Sequence, residues 1–316
     1  MSAHSTDNGG ENSGEFDLSL SGDGMTAPAG KSLPAGLYII ATPIGNLGDI
    51  SLRAIDTLRR VDIIACEDTR EAGKLAAAYG IKTARTPYHD HNAARERPRL
   101  IKMIEDGRAV GLISDAGTPL VSDPGYKLVE AAVAAGVAVT TVPGASACLS
   151  ALQLSALPSD RFMFAGFLPP KSGARRKELT GLKNVPATLI FYETAPRLAD
   201  SLRDMAEVLG DRPAAVVREI TKKFEEARRA TLAQLAAHYD ERGQPKGEIV
   251  IVVGAGDAQA QGEWDDAALA QAVAAVLDDR GLSVKDAAAE IAKASGRKKS
   301  DVYQLALDHK QGKADD

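Results

Sequence analysis

Hydrophobic positions along this chain fall in short continuous runs, separated by longer stretches whose apolar residues recur with a helical period. Leu37-Tyr38-Ile39-Ile40-Ala41-Thr42 is such a run, and it stops at the loop Pro43-Ile44-Gly45-Asn46-Leu47-Gly48-Asp49. Leu52, Ile55 and Leu58 then share one helix face. The alternation repeats, with strands predicted at 61–66, 109–114 and 137–142 and helices at 71–79, 95–105 and 124–135. A strand that is apolar throughout is covered on both faces, and an intervening helix is the ordinary crossover between parallel strands. The pattern therefore predicts an α/β domain over 34–156 with a largely parallel sheet. Its last helix opens at Pro143-Gly144-Ala145-Ser146 and runs to about Leu157.

A second α/β domain is predicted over 157–255. Its strands lie near 161–167, 187–193, 213–219 and 248–254, and its helices near 174–182, 197–209 and 232–241. Residues 256–264, rich in Gly, Ala and Gln, read as a linker, and 265–316 as a small helix-turn-helix-like module with Ser283 and Ser300 as helix N-caps. Residues 1–33 carry almost no periodic apolar signal and read as a disordered tail, because they bury too little to offset chain entropy.

Composition narrows the class. The 316 residues are 44% hydrophobic and 26% charged, as in a globular protein, and the formal charge of −5 argues against non-specific coating of nucleic acid. Cys66 and Cys148 form no metal-ligand pattern and no disulfide framework; they read as small buried hydrophobes in a reducing compartment. No metal site is expected. The chain shows no apolar run of membrane-spanning length and no secretory leader, so a cytoplasmic location away from membranes is expected.

Candidate chemistry gathers where predicted strands end. The loop after 37–42 is joined by Ser114-Asp115-Ala116-Gly117-Thr118-Pro119 with Ser122-Asp123-Pro124-Gly125, and by Val142-Pro143-Gly144-Ala145-Ser146. Open α/β sheets bind ligands beyond their strand ends, where glycine lets main chain approach closely. None of these loops is a P-loop or a full dinucleotide fingerprint. Asp115 at a strand end suits a cationic ligand group. Basic clusters at Lys171, Arg175, Arg176 and Lys177, and at Lys222 and Lys223, offer phosphate neutralisation despite the acidic total, although a solvated helix face is the default reading of any one of them.

These motifs, with Ile64-Ala65-Cys66-Glu67-Asp68-Thr69-Arg70, His89-Asp90-His91-Asn92, Gly166-Phe167-Leu168-Pro169, Ile190-Phe191-Tyr192-Glu193 and Arg218-Glu219-Ile220-Thr221-Lys222, resemble the tetrapyrrole-methylase fold. Within it, the resemblance is closest to the ribosomal RNA small subunit methyltransferase I family, over about residues 34–307. It implies two α/β domains with S-adenosylmethionine in the cleft between them, and transfer of a methyl group to the 2′-oxygen of a cytidine in the decoding region of 16S rRNA within the 30S subunit. It also implies a homodimer. Pro43, Gly45, Asn46, Gly48, Asp49, Asp115, Ala116, Gly117, Thr118, Pro119, Asp123, Pro143, Gly144, Ser146 and Tyr192 are the expected donor-binding residues. Arg70, Lys171, Arg175, Arg176, Lys177, Lys222 and Lys223 are expected to meet RNA. A ribose hydroxyl is a weak nucleophile until its proton is taken, and Glu67, Asp68, His91, Glu193 and Glu219 are the candidate bases. Methylation of a corrin precursor, and a non-enzymatic assembly factor that binds S-adenosylmethionine, remain the alternatives.

Overall fold

The computed structural model describes residues 32–256, 266–278 and 282–312. The expected tail up to residue 31 and the expected linker beyond residue 256 lie outside them. The chain divides into two compact units. The first holds residues up to Pro43 and Leu47–Ala145; the second holds Ile44–Asn46 and everything from Ser146 onward.

The first unit is built on β1 (Gly36–Ile40), β2 (Ile63–Cys66), β3 (Arg85–Pro87), β4 (Ala109–Ile113) and β5 (Val139–Val142), in the order β3-β2-β4-β1-β5 with every pairing parallel. Helices α1 (Leu52–Arg60), α2 (Thr69–Ala78), α3 (Ala93–Glu105) and α4 (Tyr126–Ala134) make the crossovers. One core contains Ile40, Leu58, Ile64 and Ile113, and a second contains Leu37, Leu100, Leu112 and Leu128. β4 is buried at all five positions, as a strand covered on both faces must be. β3 escapes the apolar pattern, because an edge strand of Arg, Thr and Pro buries only Thr86.

The second unit begins with α5 (Ala147–Ser155), followed by β6 (Phe162–Phe167), α6 (Ser172–Leu182), β7 (Thr188–Thr194), α7 (Leu198–Leu209), β8 (Pro213–Arg218), β9 (Glu226–Thr231), α8 (Leu232–Arg242) and β10 (Glu248–Val253). Its sheet runs β6-β7-β10-β8-β9, and only β6 and β7 are parallel. Helix α5 packs on β7, β8, β9 and β10. The domain boundary expected at 156 therefore falls at 145. Periodicity shows which face of a helix is apolar, but not which sheet covers it. β9, Glu-Ala-Arg-Arg-Ala-Thr, was also outside the strand pattern; charge along an edge discourages pairing with another chain.

Helices α9 (Asp266–Asp278), α10 (Val284–Ser295) and α11 (Lys299–Gly312) enclose their own core of Leu269, Val273, Ala287, Ala288, Ile291, Val302 and Ala306. Ser283 caps α10, accepting a hydrogen bond from Asp286 N at 3.2 Å. Ser300 is not a cap, since α11 already begins at Lys299. Among the described residues no helix is long and apolar enough to cross a membrane.

Candidate functional site

All five strands of the first sheet point the same way, so the loops after β1, β2, β3, β4 and β5 share one end of it. Thr42, 3% exposed, exchanges two main-chain hydrogen bonds with Gly117 at 2.9 and 3.1 Å, joining the β1 and β4 loops. Gly117 has φ +80°, a conformation that glycine adopts at no steric cost. The Thr118 hydroxyl donates to Ala145 O at 3.0 Å, joining β4 to β5, and Asp68 N donates to Asp115 Oδ1 at 3.0 Å, joining β2 to β4. Gly144 lies so close to Ala41 that an added Cβ would sit 3.0 Å from the alanine methyl. The result is a pre-tied rim with Asp115, Ala116, Pro143, Gly144, Gly48 and Asp49 exposed on it.

An open depression of about 500 Å³ in this unit is lined by Glu67, Asp68, Thr69, Pro87, His89, His91 and Asp115. Its carboxylates differ in character. Burial holds the Glu67 carboxyl above its ordinary value, and Asp115 and Asp90 push in the same direction. Asp68 caps α2, is gripped by Arg70, and is pulled down to about 2 by those hydrogen bonds. That makes Asp68 a poor base and occupies the Arg70 guanidinium. Asp123 is pushed up to about 6, chiefly by burial; the Ser114 hydroxyl opposes the shift and Glu67 and Asp115 add to it. His91 is exposed, with its ring edge-on to His89 at 5.9 Å.

The second unit corrects several expectations. Arg175 is 3% exposed and locked to Asp204 at 2.6 Å, so it is no phosphate ligand; a partner 29 residues away gave no local signal. Arg176 is paired with Glu207. Glu193, also 3% exposed, accepts from the Ser201 hydroxyl and Thr194 N and pairs with Arg197. A carboxylate so enclosed cannot reach a substrate proton. Glu219 is lowered by a 2.9 Å bond from the Lys222 ammonium. Lys222 also meets Glu248 at 2.9 Å, and these two carboxylates outweigh the burial that opposes its charge. Its stem lies over Gly45, where an added Cβ would come within 2.5 Å of it. Lys171, Lys177 and Lys223 are exposed and make no ion pair among the described residues. Ser146 Oγ lies 3.5 Å from Cys148 Sγ. The Tyr192 ring meets Phe164 at 4.7 Å and Phe167 at 5.5 Å, both edge to face.

Comparison with known proteins decides the family. The model of the tetrapyrrole (corrin/porphyrin) methylases matches residues 36–236, and that of the RsmI C-terminal HTH domain matches 264–310. The Mesorhizobium japonicum protein named ribosomal RNA small subunit methyltransferase I is 50% identical over 288 residues, 91% of this chain and 96% of that protein. This chain belongs to the ribosomal RNA small subunit methyltransferase I family. It is accordingly a methyltransferase. A Pseudomonas aeruginosa relative of the same name is 45% identical over 88% of this chain and 98% of its own length. The crystal structure of uroporphyrin-III-C-methyltransferase from Thermus thermophilus shares the fold, with a TM-score of 0.51 and 22% identity over 70% of this chain and 94% of that one.

Proposed function

We propose that this methyltransferase uses S-adenosylmethionine to methylate the 2′-oxygen of a cytidine ribose in the decoding region of 16S rRNA, acting on the 30S subunit in the cytoplasm as a homodimer. The observation that carries the donor reading is the tied rim of main chain beside Asp115. It places a carboxylate and glycine-exposed amides and carbonyls at parallel strand ends, where a zwitterionic, positively charged donor finds both kinds of partner. Pro43, Gly48, Asp49, Asp115, Ala116, Gly117, Thr118, Pro119, Asp123, Pro143 and Gly144 form this set in the first unit. Gly45, Asn46, Ser146 and Tyr192, in the second, are assigned to the donor by family resemblance alone.

When bound, the donor supplies a sulfonium methyl group for in-line displacement. The chain's own task is to hold the ribose oxygen in line and take its proton. Glu67 is the best-suited acceptor, because burial and neighbouring carboxylates raise its basicity while leaving it partly open to the depression. Asp68 serves as the α2 cap and as the holder of Arg70. Exposed Lys171, Lys177 and Lys223, which make no ion pair among the described residues, are assigned to phosphates; Lys223 Nζ lies over the Phe224 ring, 5.6 Å from its centroid.

Purified 30S particles and free 16S rRNA are to be incubated with radiolabelled donor and the product digested in alkali. Label in an alkali-resistant dinucleotide, from 30S particles above free rRNA, is the expected result. Label in an alkali-labile nucleotide, or no label in either RNA, overturns the assignment.

A further inference from the structure

The β6–β7 corner of the second unit is built to present an aromatic ring rigidly. β6 carries a register shift between Phe164 and Gly166, and Gly166 has φ +67°. The extra residue re-phases the strand, so that Phe164 and Phe167, three apart, both meet Tyr192. Phe167 is nevertheless 50% exposed. The loop that follows is pinned from beneath. Leu168 is buried, Arg197 donates to the Leu168 and Pro169 carbonyls, and Arg175 donates to Pro170 O at 3.3 Å. Both arginines are themselves fixed by buried acids, Glu193 and Asp204. The loop ends at Lys171, exposed and without an ion pair among the described residues.

Fixing a half-exposed aromatic ring in advance removes the ordering cost of binding whatever stacks on it. With an unpaired cation four residues away, the fitting occupant is a flat, π-faced group attached to an anionic backbone. We propose that Phe167, backed by Tyr192 and Phe164, is a stacking platform for an unpaired base of the RNA substrate, and that Lys171 meets an adjoining phosphate. This rests on the reading that RNA is the substrate. It gives the buried Glu193–Arg197 and Arg175–Asp204 pairs a shared purpose as positioning struts.

Trp264 is the chain's only tryptophan, so a W264F/F167W double variant carries its sole indole at the platform. Its probe is a short single-stranded pyrimidine oligoribonucleotide with an end label, whose anisotropy reports binding independently. Quenching of the indole as the oligonucleotide binds is expected, with none from an abasic oligonucleotide of equal charge. Phe167→Ala is expected to weaken binding and raise the KM for 30S particles by roughly 5- to 150-fold, the range of one base–aromatic stack. Phe167→Tyr should retain wild-type values. Lys171→Gln should lower the slope of log affinity against log salt by about 0.7. Two results overturn the platform: a bound oligonucleotide that leaves the indole unquenched, or a Phe167→Ala chain whose solution mass falls to half with RNA affinity intact. The last would mean that a second copy covers the ring. If the double variant binds and quenches while the wild-type chain transfers no methyl group to RNA, the substrate reading fails and the platform stands.

Discussion

Asp123 shows how a single carboxyl couples the rim to pH. Its pKa is raised from 3.8 to about 6 in the folded chain, so the folded state holds the proton more tightly than the unfolded state. Stability from this group is therefore present below about pH 4, lost as pH climbs to about 6, and absent above it. Asp123→Asn should gain stability relative to wild type at pH 7, with the gain vanishing near pH 4; urea titrations at both values measure it. Gly117 makes a different demand. Its φ of +80° disfavours any side chain, and Gly117→Ala should cost about 1–2 kcal/mol and loosen the pair with Thr42. Calorimetry should find weaker donor binding in Gly117→Ala and in Asp115→Ala. Unchanged affinity in both would remove the donor from this rim.

At the scale of elements, the Arg175–Asp204 pair ties α6 to α7 inside the second unit. Removing one partner of a buried pair strands the other, at about 3–5 kcal/mol, whereas replacing both with apolar groups is often neutral. Arg175→Met should lower the denaturation midpoint sharply, and adding Asp204→Leu should recover much of the loss. Such pairing marks the boundary of what the linear pattern reveals. β1, β2, β4, β7 and β10 were legible, because a strand buried on both faces is an unbroken apolar run. β3 and β9 were not, because Arg-Thr-Pro and Glu-Ala-Arg-Arg-Ala-Thr lie at sheet edges, where one side of the strand needs no apolar cover. The glycine- and proline-rich strand-end loops could be read directly, since turn chemistry is local. Arg175 and Glu193 looked like surface groups because what buries them comes from elsewhere in the sequence.

For the whole molecule, the separate core of α9, α10 and α11 implies separable stability. A chain ending at residue 256 should bind the donor with unchanged affinity, and the intact chain should lose one calorimetric transition on that truncation. A single transition in both chains would show the three helices to be thermodynamically merged with the rest. The strand order of the first sheet carries one more consequence. β1 is synthesised before both of its neighbours, β4 and β5, and no hairpin joins it to either. While the ribosome is still making the intervening helices, this apolar ribbon has no hydrogen-bonding mate. A newborn chain stalled before Ala109 should consequently be captured by holdase chaperones and cut readily by protease, whereas one stalled well past Val142 should resist both.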